Sequence, residues 1–184
     1  MNTEGSSLLD RATRMAVDGH AIQVRKDDNS PYIVHPVMVA ILLAQHGFSE
    51  TVIAAGLTHD LVEDTEYTID QIREELGDEV ATIVASVTNQ EGLTWEDKKR
   101  AYVETVRIGS EDAKAVATAD KIHNAESLIR AHDRLGTDLW KLFNAGREKK
   151  LWFEDIMLAM LKETWQHPLV DEYEALVQKM NALT

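Results

Sequence analysis

The stretch "LTHDLVEDTE", Leu57 to Glu66, gathers His59-Asp60 and Glu63-Asp64 around two apolar residues. Its flanks are apolar, and ionisable groups are costly to bury there. Read as helix, His59 and Glu63 lie four apart on one face, while Asp60 and Asp64 form a second stripe about 100° away. The cluster either faces water or lines a cleft while Leu57, Leu61 and Val62 pack inward. Acidic side chains at a helix C-terminus oppose the macrodipole, so Glu63 and Asp64 sit where helix stability alone does not favour them.

Two further segments carry matching chemistry. In "PYIVHPVMVAILL", His35 directly precedes Pro36, which biases it toward extended geometry and lets it project from a helix mouth. In "ATADKIHNAESL", an apolar, alanine-rich helix is interrupted by Asp120, Lys121, His123 and Asn124. Asp120, Asn124 and Ser127 share one stripe, whereas Val116, Ala117, Ala119, Ile122 and Leu128 read as buried. A carboxylate in such a helix needs a partner. Two imidazoles and two carboxylates (His35, His59, Asp60, Asp120) make a mixed nitrogen/oxygen set suited to Mn²⁺, Fe²⁺ or Zn²⁺, and ligand type alone does not choose among them.

The elements that must position these residues are helical. Apolar spacing predicts helices over 7–24, 36–46, 50–62, 69–76, 78–88, 95–108, 111–130, 138–144, 147–164 and 170–182. Pro36 suits a first helical position and Gly47 a position just past a helix end. Thr68 with Gln71 forms a capping box, and Ser49, Thr94 and Ser110 are N-cap candidates. No segment sustains a period of two. The expectation is an all-α fold of about ten helices, one domain over residues 1–184, with irregular stretches at 26–34, 89–94 and 131–137.

Composition narrows the function classes. The chain has 184 residues, 44% hydrophobic and 28% charged, the balance of a soluble globular domain. A formal net charge of −13 argues against a duplex-binding surface, though not against a small anionic ligand. The cations cluster at Arg25-Lys26, Lys98-Lys99-Arg100 and Arg147 to Lys150, each readable as a solvated helix face. With no cysteine, no apolar leader and no run of about 18 apolar residues, a cytoplasmic protein without membrane contact is expected. Oligomerisation is left open.

The order His35, His59-Asp60, Asp120 resembles the HD superfamily of metal-dependent phosphohydrolases. "RKDDNSPYIVHPVMVA", "AAGLTHDLVEDTEYTIDQIREELGDEVATIVASVT" and "ATADKIHNAESL" are similar, more specifically, to the hydrolase domain of the RelA/SpoT alarmone enzymes. The small stand-alone alarmone hydrolases match best in length. The resemblance covers roughly residues 7–130 well and the C-terminal helices loosely. It implies that His35, His59, Asp60 and Asp120 hold one Mn²⁺, with other divalent metals able to substitute. It implies that Glu63 and Asp64 orient and deprotonate the attacking water. Arg25, beside Lys26, is implied to meet the purine face, with Lys121, Asn124 and Ser127 also on the substrate side and Arg100 at phosphate. Where the family's long enzymes carry Met-Arg-Thr after the asparagine, this chain has Ala125-Glu126-Ser127, which leaves guanine against adenine open.

The implied activity is Mn²⁺-dependent removal of the 3′-pyrophosphate of a nucleotide such as (p)ppGpp or its adenosine analogue. Its products are pyrophosphate and a nucleoside 5′-di- or triphosphate. Another HD nucleotide phosphohydrolase (a nucleotidase or an NADPH phosphatase) and a non-catalytic nucleotide-binding module are the alternatives. The second is disfavoured because every implied ligand and both acids are present. In "WKLFNAGREKKLWFEDIM", Trp140, Phe143, Trp152 and Phe153 read as core aromatics, while Asn144, Arg147 and Lys150 are placed to close the pocket.

Overall fold

In a computed structural model, which describes residues 6–25, 28–142 and 145–184, the chain forms α1 (Leu8–Gly19), α2 (Val34–Gln45), α3 (Glu50–Thr58), α4 (Leu61–Asp64), α5 (Ile69–Leu76), α6 (Asp78–Val87), α7 (Trp95–Ile108) and α8 (Glu111–Leu135). A 3-10 stretch over Gly136–Leu142 leads into α9 (Gly146–Thr164) and α10 (Pro168–Ala182). Side-chain caps fix many of the starts. The hydroxyls of Ser7, Ser49, Thr94 and Ser110 accept from the backbone N–H three residues on, and Thr68 with Gln71 completes a capping box. Among the described residues the only extended pairing is an isolated bridge between Val24 and Pro31. No described helix is long and apolar enough to cross a membrane.

The fold class is as expected, with five local differences. α1 stops at Gly19 rather than at 24, where the ring of His20 is buried, packs against Tyr32 with ring centroids 4.7 Å apart and bonds Gln23. α2 starts before Pro36, so His35 is helical, and its N–H bonds the Tyr32 carbonyl at 2.8 Å. The expected 50–62 helix breaks at His59-Asp60 into α3 and α4. α8 runs on to Leu135, and the described part of the expected helix at 138–144, up to Leu142, is 3-10 instead.

The core is organised around α8. Every residue from Ala113 to Ile122 is buried, and α2, α3, α6, α7 and α10 all pack on this helix. Its alanines keep the groove narrow enough for neighbours on all sides. Leu43, Val52, Leu61, Ile72, Val84, Met157 and Tyr173 belong to the main cluster, while Leu128, Leu139, Leu151 and Met180 form a second one under the last helices.

One close approach sets the site. A Cβ on Gly56 would lie 2.5 Å from Cδ1 of Leu43, which is fully buried on α2. The crossing of α2 and α3 at this glycine brings His35 and His59, three residues on and just past the end of α3, to a ring separation of 5.2 Å. Gly56→Val is expected to destabilise the fold by about 1–3 kcal/mol through overpacking. Adding Leu43→Ala should recover part of that loss. Denaturant melts of the two single variants and the double variant read the coupling, and strictly additive effects would refute the close-approach account.

Candidate metal centre

Three separate segments converge on one buried point. α2 supplies His35 from its first turn, the α3–α4 junction supplies His59 and Asp60, and the middle of α8 supplies Asp120. One donor atom each from His35, His59 and Asp120 lies within 4.8 Å of the others, and the three residues are at most 8% exposed. Nε2 of His35 is 3.1 Å from Asp120 Oδ1 and 3.3 Å from Asp60 Oδ2, and Nε2 of His59 is 3.2 Å from Asp60 Oδ1. A regular helix would aim adjacent residues about 100° apart. The break at His59-Asp60 is what lets both face the same point.

The break also removes a premise of the sequence reading. Glu63 and Asp64 lie in a separate four-residue helix, not at the end of a long one, so the summed dipole of a long helix does not oppose them. Each is held by a neighbour. The Glu63 carboxylate accepts from the Asn89 backbone N–H at 2.6 Å and from its side-chain amide at 2.8 and 2.9 Å. The Tyr32 hydroxyl lies 2.9 Å from the Asp64 carboxylate and 2.7 Å from Asp60 Oδ2, and its single proton bonds one of them at a time.

The electrostatics fit a cation. Nδ1 of His59 donates to the Gly56 carbonyl at 2.8 Å, which leaves Nε2 facing the carboxylates, buried and without a hydrogen-bond partner. Burial disfavours the charged imidazole, yet Asp60 and Asp120 outweigh it and push His59 up to about 9. Burial acts the same way on the two carboxyls. The imidazoles hold Asp60 well below the usual carboxylate range, and Lys121 with the imidazoles does so for Asp120. The point between these groups therefore draws positive charge, and the donor set is one that divalent transition metals accept. These residues fit a metal ion.

Around the donors a supporting layer fixes orientation. His35 Nδ1 lies 2.7 Å from Nδ1 of His123, and one of the two must donate. Burial, with His35 second, lowers His123 to about 4, so its ring is neutral, and the contact fixes the orientation of the His35 ring whichever of the two donates. Lys121 Nζ donates to Asp120 Oδ2 at 2.8 Å, and the Asn124 amide donates to Asp120 Oδ1. Arg25 donates to Asn124 Oδ1 at 3.2 Å, with its guanidinium 5.9 Å from the centroid of Tyr32.

Other predicted residues lie elsewhere. Ser127, a turn beyond Asn124, is buried and accepts from Arg130. Arg100 pairs with Glu96 at 3.0 Å and stacks on Trp152. Arg147 donates to the carbonyls of Asn181 and Leu183 and covers Trp140, so it clasps the end of α10. Lys150 is spent on the buried Glu154, which also accepts from the Tyr173 hydroxyl. Lys26, Phe143 and Asn144 lie outside the described residues.

Four residues of the cleft went unassigned in the sequence: Tyr32, Asn89, Lys99 and His123. Helical phase gave a signal for one of them. Lys99 shares the stripe of Tyr102, Val103 and Val106, which are buried, and Arg100 is one step out of phase. Tyr32 stands three residues before His35 in the quoted "PYIVHP". Nothing in the sequence pointed to Asn89.

With this geometry in place, comparisons identify the relatives. A model of the HD domain matches residues 12–149. The guanosine-3′,5′-bis(diphosphate) 3′-pyrophosphohydrolases MESH1 of Mus musculus and Homo sapiens are each 39% identical over 133 residues, 71% of this chain and 74% of theirs. Among solved structures, lmo0812 from Listeria monocytogenes EGD-e superposes with a TM-score of 0.74 at 38% identity, over 79% of this chain and 97% of that one. A metazoan ortholog of SpoT shares the fold over the full length of both chains, with a TM-score of 0.80 at 23% identity.

Titration of the metal-free chain with Mn²⁺ is expected to raise its melting temperature, by about 2.7 kcal/mol of stability at a hundredfold excess over Kd. His59→Ala and Asp120→Ala should abolish that gain. His123→Phe, which removes the ring nitrogen that holds His35, should weaken metal affinity by about 10–100-fold while the fold remains. A wild-type melt that Mn²⁺, Fe²⁺ and Zn²⁺ all leave unmoved would rule out a metal centre.

Proposed function

The chain belongs to the HD domain family, and we propose that it is a Mn²⁺-dependent pyrophosphohydrolase that removes the 3′-pyrophosphate of an alarmone nucleotide such as (p)ppGpp. The observation that carries this reading is the convergence of His35, His59, Asp60 and Asp120 on one point, with the buried His59 Nε2 facing both carboxylates and making no hydrogen bond. The 3′-pyrophosphohydrolase activity for which the MESH1 relatives are named supports the substrate class. The proposed unit takes in residues 1–184, since α9 and α10 pack on α7 and α8 beyond the span of the family match.

A cation held by these four residues supplies positive charge against a phosphoryl oxygen and Lewis acidity toward water. The protein's own groups do the rest. Glu63, oriented by Asn89, and Asp64, oriented by Tyr32, receive a proton from the attacking water. The water oxygen bonds to the phosphorus that carries the ribose 3′ oxygen. The P–O3′ bond breaks, the proton received by the carboxylates passes on to the 3′ oxygen, and pyrophosphate departs from the nucleoside. Arg25 offers a planar cation to the purine, and Asn124 ties it to the metal-ligand helix. Lys121 neutralises Asp120 on the side away from the imidazoles.

Base preference turns on residues 125–127. Glu126 pairs with Arg130 at 3.5 Å and half of its side chain is solvent-exposed, so the residue that replaces the family's arginine is engaged away from Asn124.

The test is to incubate the protein and Mn²⁺ with guanosine and adenosine 3′-pyrophosphates side by side and identify the released phosphate. Pyrophosphate is the expected product. Orthophosphate would indicate a nucleotidase or phosphatase, and binding without turnover a nucleotide-binding module. Glu63→Ala should lower kcat by about 10²–10⁴-fold with metal retained, whereas His59→Ala should lose both metal and activity. Normal turnover by Glu63→Ala would overturn the assignment of the base.

A further inference from the structure

Lys99 of α7 is a half-buried cation for which the mechanism above has no use. Its Nζ lies 4.8 Å from the centroid of Phe153 and 5.9 Å from that of Tyr102. Lys121 Nζ lies 5.0 and 5.3 Å from the same two rings. Two ammonium groups thus share one pair of aromatic rings, and like charges gathered at one place repel unless an anion joins them.

Their compensation differs. Lys121 has the Asp120 carboxylate at 2.8 Å. Among the described residues Lys99 makes no ion pair; its nearest acceptor is the Asn89 side-chain oxygen at 3.5 Å, a long contact to a neutral group. Burial, with the Lys121 charge second, lowers its amine to about 8. The same Asn89 holds Glu63 through its amide, so Lys99 stands beside the candidate base on one side and beside Lys121, on the metal-ligand helix, on the other. Half-burying an ammonium without a carboxylate is unfavourable unless an anion is recruited. Arg100, its neighbour in the triplet, is already paired with Glu96.

We propose that Lys99 is a substrate-binding residue that, with Lys121, seats the distal phosphoryl group of the pyrophosphoryl moiety, a role that rests on the pyrophosphohydrolase reading above. The aromatic floor of Phe153 and Tyr102 holds both amines toward the cleft. A lysine serves here as a compact point charge with three rotatable donors, which a terminal phosphoryl oxygen accepts. The contact is made to substrate and persists to the pyrophosphate product, so binding of both depends on it.

The experiment uses the full chain loaded with Mn²⁺, as wild type, Lys99→Met and Lys99→Arg. Affinity for inorganic pyrophosphate is measured by calorimetry, and kcat and KM are measured on the guanosine 3′-pyrophosphate. Lys99→Met is expected to weaken pyrophosphate binding and raise KM by about 10–100-fold, with metal stoichiometry and melting temperature unchanged. Lys99→Arg should stay within several-fold of wild type. Should Lys99→Met fail to fold, Lys99→Gln, which keeps a polar tip toward Asn89, carries the same expectation. A folded, metal-loaded Lys99→Met or Lys99→Gln with wild-type pyrophosphate affinity and KM overturns the proposal. If wild type binds pyrophosphate, Lys99→Met does not, and neither hydrolyses a 3′-pyrophosphorylated nucleotide, the activity reading fails and the anion seat stands.

Discussion

A carboxylate in the centre of the core helix is the constraint around which the other parts are arranged. Asp120 lies midway along α8, among alanines and valines that pack on five other helices. Alone there it would be strongly destabilising or would give up its charge. It does neither, because His35, His59, Lys121 and Asn124 all reach it. Each of these groups is itself fixed by something further out: His35 by His123, His59 by the Gly56 carbonyl, Asn124 by Arg25. The polar network and the apolar core are therefore one construction. α2 and α3 are pressed together at Gly56 so that their imidazoles meet over the carboxylate of α8.

Much of this was legible in the amino-acid sequence, for local reasons. Helical periodicity, the Thr68–Gln71 box and the Ser and Thr caps depend on neighbours a few residues away, and the structure keeps them. The four donor residues stood out because acidic and imidazole groups were set in apolar surroundings. What escaped depended on distant partners. The bias of a residue before proline predicted an extended His35; hydrogen bonding of its ring to His123, 88 positions away, accompanies a helical one instead. The break at His59-Asp60 has no glycine or proline to announce it. The bonds of Arg147 to the carbonyls at the end of α10, of Asn181 and Leu183, could be seen only once the chain was folded.

The same distinction separates Lys99 from Arg100. Both belong to a run of three cations, and charge counting treats them alike. Helical phase divides them: one shares the buried stripe with Tyr102 and Val106, the other leans out onto Trp152. Position on the helix circumference, rather than the presence of charge, decides which cation faces the cleft.

The interruption at His59-Asp60 bears on how the centre is assembled in time. His35 and Asp120 are far from it along the chain, so no short fragment contains the whole donor set. Since His59 and Asp60 travel on one dipeptide, two chain closures bring four donors together where four scattered residues would need three. Closure entropy grows only slowly with loop length, so the number of closures matters more than their span. The pair thus lowers the entropy lost in building the site, and it ties the site's completion to the docking of α2 and α8, the same long-range step that closes the core. A folding intermediate lacking that docking would hold no more than the His59-Asp60 half of the centre.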